Sequence, residues 1–507
     1  MSTGTHAQPS TLSPLERQSV LRTLKSPRLL KTEVLGGLVV ALALIPEAIA
    51  FSIIAGVDPR IGLFASFTMA VSISFFGGRP AMISAATGAI ALVIAPLVAS
   101  HGTDYFIGAV IMAGIFQVIL AVLGVAKLMR FIPRQVMVGF VNALAILIFM
   151  SQVPELLGVP WLVYPLVALG LLIVFGLPKL TTAVPAPLVA IVVLTLITAI
   201  ASLAVPTVGD KGALPESLPT LLIPDLPWTP ETVQVIFPYA LAMAFVGLLE
   251  SLMTAKLVDD VTDTHSNKTR ESWGQGLANI ITGFFGGMGG CAMIGQTMIN
   301  VKVSGSRTRI STFLAGTFLL ILVVVLGDLV AVIPMAALVA VMIFVSIATF
   351  DWHSIKPSTL RIMPKSETTV MLITVVFTVA THNLAIGVAA GVLTAMVLFA
   401  NRVAHLVTVE RSIEEHFDEK IAKYVVNGEL FFASSNDLYS QFNYAEDPEH
   451  VVIDLHNSHL WDASTIAALD SVTDKYEKYG KNVSVEGLNQ ASLKMRERLG
   501  GKLGGGH

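Results

Sequence analysis

The feature that most constrains this chain is a series of apolar stretches that recurs from residue 33 to residue 402. The longer ones, such as GGLVVALALIPEAIAFSIIAGV at 36–57, hold about the 20 residues that a helix needs to cross roughly 30 Å of hydrocarbon. Charged residues make up 13% of the chain, against about 25% in soluble proteins. The sequence therefore predicts an α-helical membrane protein.

We recognise seven apolar segments in each half of this region, or fourteen transmembrane segments in all. Two of them, 86–100 and 292–303, are too short to cross the membrane as helices. The segments lie at 33–58, 59–78, 86–100, 104–126, 131–153, 160–178, 184–205, 233–257, 274–288, 292–303, 308–327, 328–349, 367–381 and 383–402.

Basic residues predict the orientation, because loops rich in Lys and Arg stay in the cytoplasm. They follow the even-numbered segments, which places the tail 1–32 and the C-terminus in the cytoplasm. The loop 207–232 is acidic and is predicted to be extracytoplasmic. The basic positions are Lys127, Arg130, Arg134, Lys179, Lys268, Arg270, Lys302, Arg307, Arg309, Lys356, Arg361 and Lys365.

The two halves resemble each other. FFGG occurs at 75–78 and at 284–287, an offset of 209, and Glu47 and Glu250 stand 203 residues apart in the first segment of each half. Copies with an odd number of spans insert with opposite orientation, so 33–206 and 233–404 are predicted to form an inverted repeat. Such repeats with short, interrupted helices are typical of secondary transporters with a midplane site.

The two short segments are candidate ligand sites. A helix that begins inside the membrane presents unsatisfied N–H groups and its positive dipole end, which favour an anion. The candidate helix starts lie in SAATGA (84–89) and GGCAMIGQT (289–297). The alternative is that both are ordinary small-residue helix contacts.

Glu47 and Glu250 are candidate coupling residues, since burial favours the protonated form of a carboxyl group. Either one is expected to bind H⁺ or Na⁺ and to release it as the site changes its exposure. Pro46 predicts a kink beside Glu47. Ser251 and Thr254 share a helix face with Glu250. The alternative is that both glutamates are structural groups, hydrogen-bonded between helices.

Other classes of protein find little support. The chain has no GxxxxGK[ST] loop, which argues against a self-contained ATP-driven pump, and a net charge of −3 gives no reason to invoke nucleic acid. Its one cysteine rules out an internal disulfide, and no secretory signal peptide is apparent. We expect no enzymatic activity, no metal site and no cofactor beyond the coupling ion.

The region from residue 405 onward differs in composition, with 10 Lys/Arg and 17 Asp/Glu. Short strand-like stretches such as HVVIDLH (450–456) alternate there with helical patterns such as ASTIAALDSVTDKYEKYG (463–480). This alternation predicts a soluble α/β domain at about 410–500.

Three stretches of the sequence resemble motifs of a known family. GQGLANIITGFFGG (274–287), NVKVSGSRTRIS (300–311) and ALALIPEAIAFSIIAGVDPRIGLFAS (41–66) closely resemble motifs of the SulP anion transporters. The resemblance implies a 7+7 inverted repeat divided into core and gate domains, assembled as a homodimer. It also implies that the C-terminal domain is a STAS domain.

The resemblance further implies an anion site between the starts of the third and tenth helices, completed by the first and eighth. The family often has Gly-Pro where this chain has Ala85-Ala86, and many members have Arg where it has Gln296. Without that cation, proton coupling is favoured, with sodium as the second choice. The implied substrate-binding positions are Glu47, Phe51, Thr87, Gly88, Ala89, Glu250, Ser251, Thr254, Met293, Ile294, Gly295 and Gln296.

These observations predict an elevator-like anion symporter of the bacterial inner membrane, surrounded by lipid. The expected cargoes are a dicarboxylate such as fumarate, then sulfate, then bicarbonate. Two other classes stay open: a nucleobase carrier of the same fold, and a signalling protein with a degenerate membrane part. In STAS-type regulators a phosphorylated serine lies where Ser464 stands, although a helix cap explains Asp462 and Ser464 better. The domain is expected to bind a cytoplasmic regulatory protein or to support assembly.

Overall fold

The computed structural model describes residues 19–127, 132–180, 185–227, 229–404, 407–416, 419–435 and 438–499. Residues 1–18 of the predicted tail, Arg130 of a predicted basic loop and residue 500 of the predicted STAS domain lie outside the described residues. The chain divides into two units, one ending at Val392 and the other beginning at Leu393.

The first unit is built of helices joined by loops, with two strands of two residues each. In chain order its elements are α1 (Val20–Lys25), α2 (Pro27–Ala55), α3 (Pro59–Phe76), β1 (Ser84–Ala85), α4 (Gly88–Val122), α5 (Arg134–Gln152), α6 (Val163–Leu180), α7 (Ala186–Ile200), α8 (Pro230–Thr262), α9 (Lys268–Phe284), β2 (Cys291–Ala292), α10 (Ile294–Met298), α11 (Arg309–Val325), α12 (Gly327–Ala331), α13 (Met335–Thr349), α14 (Pro357–Ile362) and α15 (Lys365–Thr381). The next helix, α16 (Leu384–Ala404), runs across the boundary between the units.

Seven described helices are long and apolar enough to cross a membrane: α2, α3, α4, α5 with the turn after it, α6, α8 and α16. Three shorter apolar helices, α7, α11 and α13, accompany them. The predicted total of fourteen spans stays a prediction.

The helices of the first unit pack in two groups. In one, α4 packs against α8 and α9, and α11 packs against α2 and α3. In the other, α5 packs against α13 and α15, and α6 packs against α7 and α13. Close approach in the first group depends on glycine, since a Cβ at Gly276 would stand 2.6 Å from the carbonyl oxygen of Gly114 on the neighbouring helix. A rigid interface between α4 and α9 follows from this backbone contact.

Two predicted interruptions have different outcomes. The third segment does end early, because Gly102 adopts φ +80° and breaks α4. Pro46 lies inside α2, which continues to Ala55, and the predicted kink beside Glu47 stays a prediction. The proline ring removes one backbone hydrogen bond, which the rest of this 29-residue helix tolerates.

The second unit contains a four-stranded sheet in the order β3 (Thr408–His416), β4 (Glu419–Leu430), β5 (His450–Leu460) and β6 (Asn482–Glu486). β3 and β4 are antiparallel, whereas β4, β5 and β6 are parallel. Its helices are α17 (Phe432–Ser435), α18 (Ala463–Lys478) and α19 (Gln490–Leu499). Val451, Ile453 and Leu455 of β5 form its core together with the apolar face of α18. The predicted α/β domain is confirmed.

Candidate functional site

Two short strands bring the two predicted helix starts together. β1 and β2 pair antiparallel, with Ser84 opposite Ala292. The first helical residue of α4, Gly88, follows β1 closely, and that of α10, Ile294, follows β2 closely. The pairing is extended by a hydrogen bond from the Met293 N–H to the carbonyl of Ile83, at 2.9 Å. The two candidate motifs, which lie some 200 residues apart in the sequence, therefore form one structure.

The start of α4 carries free backbone donors. Thr87 is its N-cap, and the Thr87 hydroxyl accepts a hydrogen bond from the N–H of Ile90 at 3.4 Å. Within the described residues, the N–H groups of Gly88 and Ala89 have no protein acceptor. Phe51 of α2 lies against this turn, since a Cβ at Gly88 would stand 2.9 Å from the ring. Glycine is therefore needed here for the aromatic ring to approach the helix start.

The start of α10 is the open side of the site. Gly295 is exposed, and no atom lies within 4 Å of the place where its Cβ would stand. In the described chain, the N–H groups of Ile294 and Gly295 also have no acceptor. The helix continues past Met298 as one π-helical turn, Ile299–Val303.

Both glutamates lie beside these helix starts. Glu250 of α8 is 7% exposed and accepts a hydrogen bond from the Cys291 thiol, with 2.9 Å between Oε2 and Sγ. Glu47 of α2 is only half-buried, and the amide of Gln296 approaches it as a hydrogen-bond donor. Among the described residues, neither carboxyl group has a cationic partner.

The other predicted residues of α8 hold the site together. The Ser251 hydroxyl accepts a hydrogen bond from the N–H of Ala292 at 3.1 Å and so ties β2 to α8. The Thr254 hydroxyl donates to the carbonyl of Glu250, one turn earlier in the same helix, at 2.8 Å. Direct contact of these two side chains with a substrate stays a prediction.

Sequence reasoning missed Cys291 and Asn279 as members of this site. Asn279 of α9 holds the strand before α10, accepting from the Gly290 N–H at 2.8 Å and donating to the Gly290 carbonyl at 3.0 Å. It also donates to the side chain of Gln117 on α4 at 2.9 Å. An amide side chain on an apolar helix could have indicated Asn279, because a buried amide needs hydrogen-bond partners.

Two cavities adjoin the helix groups of the first unit. One, of about 910 Å³, is lined by Lys127, Ile132 and Met137, by residues 252, 253 and 256 of α8, and by residues 265–269. The other, of about 270 Å³, lies against Ala50 and Ile54, beyond Glu47 on α2, and reaches Gln152 and Glu155. Lys127 and Ile132, which line the larger cavity, stand at a loop predicted to be cytoplasmic.

In the second unit, Ser464 is exposed in the first turn of α18. Asp462 is the N-cap of that helix, and its carboxylate accepts from the N–H and the hydroxyl of Thr465, both at 3.0 Å. The capping interpretation of Asp462 therefore holds, and a regulatory role of Ser464 stays a prediction.

Comparison with known proteins identifies the chain. Residues 30–164 and 159–374 match the sulfate permease family, and residues 412–501 match the STAS domain. The chain belongs to the sulfate permease family. It is therefore a multi-pass membrane transporter of the SulP type rather than an enzyme, as its motifs indicated.

Relatives of this permease span nearly its whole length. It is 53% identical over 470 residues to the "Putative sulfate transporter YbaR" of Bacillus subtilis, which covers 93% of this chain and 97% of the relative. It is 25% identical over 524 residues to the bicarbonate transporter BicA of Picosynechococcus, covering 93% of this chain and 91% of BicA.

Solved structures agree with the fold. The transmembrane domain of a cyanobacterial BicA superimposes with a TM-score of 0.61 at 26% identity, covering 73% of the permease and 98% of that chain. The murine Solute Carrier 26 family member A9 anion transporter gives a TM-score of 0.79 at 16% identity, covering 99% of the permease and 93% of that chain. This likeness shows the fold: a helical membrane domain followed by an α/β STAS domain.

Proposed function

We propose that this permease carries a small inorganic anion, sulfate first and bicarbonate second, together with H⁺. The observation that carries the proposal is a pair of helix starts whose N–H groups have no acceptor, flanked by two carboxyl groups that have no cationic partner, in the part of the chain that the structure describes. The names of the relatives favour sulfate and bicarbonate, so the dicarboxylate that the sequence favoured becomes the third candidate.

Charge balance supports the coupling. An anion between Glu47 and Glu250 would be repelled if both carboxyl groups were ionised, because Coulomb interactions are strong away from water. Gln296 supplies a hydrogen bond at this position but no positive charge. Protonation of one or both glutamates removes the repulsion, and the proton then crosses the membrane with the anion. A bound Na⁺ ion is the second candidate for the same role.

The helix groups support an elevator-like movement. The group containing α2, α4 and α8 carries predicted binding residues and corresponds to the core domain. The group of α5, α6, α7, α13 and α15 corresponds to the gate domain. The larger cavity lies beside Lys127, on the side predicted to be cytoplasmic, which fits an inward-open state.

The finer architecture follows the sequence prediction. We propose fourteen spans in inverted repeats 33–206 and 233–404, separated by the extracytoplasmic loop 207–232, with the tail 1–32 and the STAS domain at 410–500 in the cytoplasm. A homodimer in the bacterial inner membrane, with a regulatory partner at the STAS domain, completes the proposal.

The test is uptake of labelled sulfate into proteoliposomes under an imposed inward proton gradient. We expect gradient-driven uptake by the unchanged protein and its loss in Glu47→Gln and Glu250→Gln. Glu216→Gln, an exposed carboxylate in the loop 207–232, is the matched control and should behave like the unchanged protein. Uptake that ignores the gradient and survives both site changes would refute proton coupling. Uptake of labelled bicarbonate and fumarate tests the other cargoes. A sodium gradient tests sodium coupling, and competition by uracil tests the nucleobase carrier.

A further inference from the structure

Three buried side chains from three different segments form a chain of contacts inside the site. The Cys291 thiol of β2 lies 2.9 Å from Oε2 of Glu250 and 3.2 Å from the hydroxyl of Thr87. Thr87 is the N-cap of α4, whose first turn carries the free N–H groups. Cys291 is fully buried, and Thr87 is 2% exposed. The thiol therefore connects the carboxyl group of one helix to the start of another.

The direction of these hydrogen bonds is fixed by counting hydrogens. A thiol has one hydrogen, and an ionised carboxylate only accepts. With Glu250 ionised, the Cys291 S–H points to the carboxylate, so the Thr87 hydroxyl must donate to the sulfur. The same hydroxyl oxygen accepts from the Ile90 N–H. The hydroxyl hydrogen of Thr87 is then committed to the protein.

Protonation of Glu250 makes the reverse order available, because a carboxyl group with a proton is a donor as well as an acceptor. In that order the carboxyl O–H donates to the Cys291 sulfur, and the thiol hydrogen turns to the Thr87 oxygen. That oxygen now accepts two hydrogen bonds, and its own hydrogen is released toward the first turn of α4, beside the N–H groups of Gly88 and Ala89. No covalent bond changes other than the one that takes up the proton on Glu250.

We propose that Cys291 relays the protonation of Glu250 to Thr87, so that the Thr87 hydroxyl donates to a bound anion only when Glu250 carries a proton. This inference rests on the proposed function and gives its coupling a physical path. Coupling between two ligands is reciprocal, so the anion in turn makes the proton on Glu250 harder to lose.

The groups around the relay are few and mostly neutral. The elements packed against α8 bring Gln117 of α4, Asn279 of α9 and Gln296 of α10 to the described site, and all three are uncharged amides. The further titratable group is Glu47 of α2, beside Gln296. A pH effect that persists without Cys291 would therefore point to Glu47.

The experiment measures the KM for labelled sulfate in proteoliposomes at several pH values, with Cys291→Ala and Cys291→Ser. In the unchanged protein we expect KM to fall roughly tenfold from high to low pH, the change expected when one hydrogen bond to a charged group is gained. Cys291→Ala should show a clearly smaller fall in KM, because only the loss of charge repulsion between the anion and the glutamates remains. Cys291→Ser retains one donor hydrogen and should restore the pH dependence.

Ser346→Ala is the matched control, because it removes a buried hydroxyl that donates to the carbonyl of Ala145 on α5. It should leave the pH dependence of KM unchanged. If Cys291→Ala retains the tenfold change, the relay is refuted although proton coupling stands. If the unchanged protein transports sulfate with no effect of pH, proton coupling and the relay are both refuted. If it transports no sulfate, sulfate as the cargo and the relay tested with it are refuted.

Discussion

Two buried carboxylates of this permease, Asp447 in the STAS domain and Glu250 in the membrane unit, are surrounded very differently. In the STAS domain, Asp447 forms an ion pair with Arg411 at 2.7 Å, and it accepts hydrogen bonds from Tyr424 at 2.6 Å and Tyr476 at 2.5 Å. In the membrane unit, Glu250 has one thiol as its hydrogen-bond partner among the described residues.

The difference separates a structural acid from one suited to coupling. Asp447 has a cation and two phenols as partners, and these contacts hold β3, β4 and α18 together. Glu250 has only a weak neutral donor, so few interactions fix its side chain. The second arrangement is the one that the proposed coupling requires.

The largest expected effect comes from removing the structural acid. Asp447→Ala leaves two buried phenols and a guanidinium without their shared acceptor, which should cost about 3 kcal/mol or more. Hydrogen exchange followed by mass spectrometry should show faster exchange of β4 and β5, with α8 unchanged.

The comparison requires the opposite result at Glu250. Glu250→Gln keeps the size and the acceptor oxygen of the side chain, so exchange along α8 should change by less than about 1 kcal/mol, although proton-driven uptake is lost. Equal destabilisation by the two changes would show that Glu250 is a structural group as well.

A second experiment gives the membrane site the cation that Asp447 already has. Gln296→Arg places a guanidinium beside Glu47, next to the open space at Gly295. A fixed positive charge should attract the anion whether or not a glutamate is protonated. We expect KM for sulfate at high pH to fall roughly tenfold and the proton gradient to lose its effect on uptake. Gln135→Arg, on α5 in the second helix group, serves as the control. Gln117→Glu would not serve, because Gln117 touches the site.

Much of this fold could be predicted because its signals are local. Apolar length, basic loops and strand-helix alternation depend on neighbouring residues, and they gave the membrane helices and the α/β domain. Pro46 shows where local signals end: it lies inside α2, which continues to Ala55, because a long packed helix tolerates one missing hydrogen bond.

The site was predictable only in part. Glycines and glutamates in matching places indicated Glu47, Glu250 and the two helix starts. The roles of Cys291 and Asn279 depend on the pairing of β1 with β2, two residues each, which no periodicity can reveal. Contacts across some 200 residues set which donor faces which acceptor.

The smallest effect should appear only in alkali and only in the STAS domain. Burial raises the pKa of Tyr444 to about 12, and burial with the neighbouring Asp447 raises the pKa of Tyr476 further. An unfolded chain loses its tyrosine protons near pH 10, earlier than the folded domain does. The folded state then holds more protons, so its stability falls as the pH rises from about 10 toward 12.

Tyr444→Phe should reduce this loss of stability while changing little at neutral pH. Hydrogen exchange of β5 across the pH series would show it. An equal alkaline loss in Tyr444→Phe would mean that Tyr424 and Tyr476, whose pKa values burial also raises, carry the effect. An alkaline loss confined to α8 would overturn the contrast between the two acids.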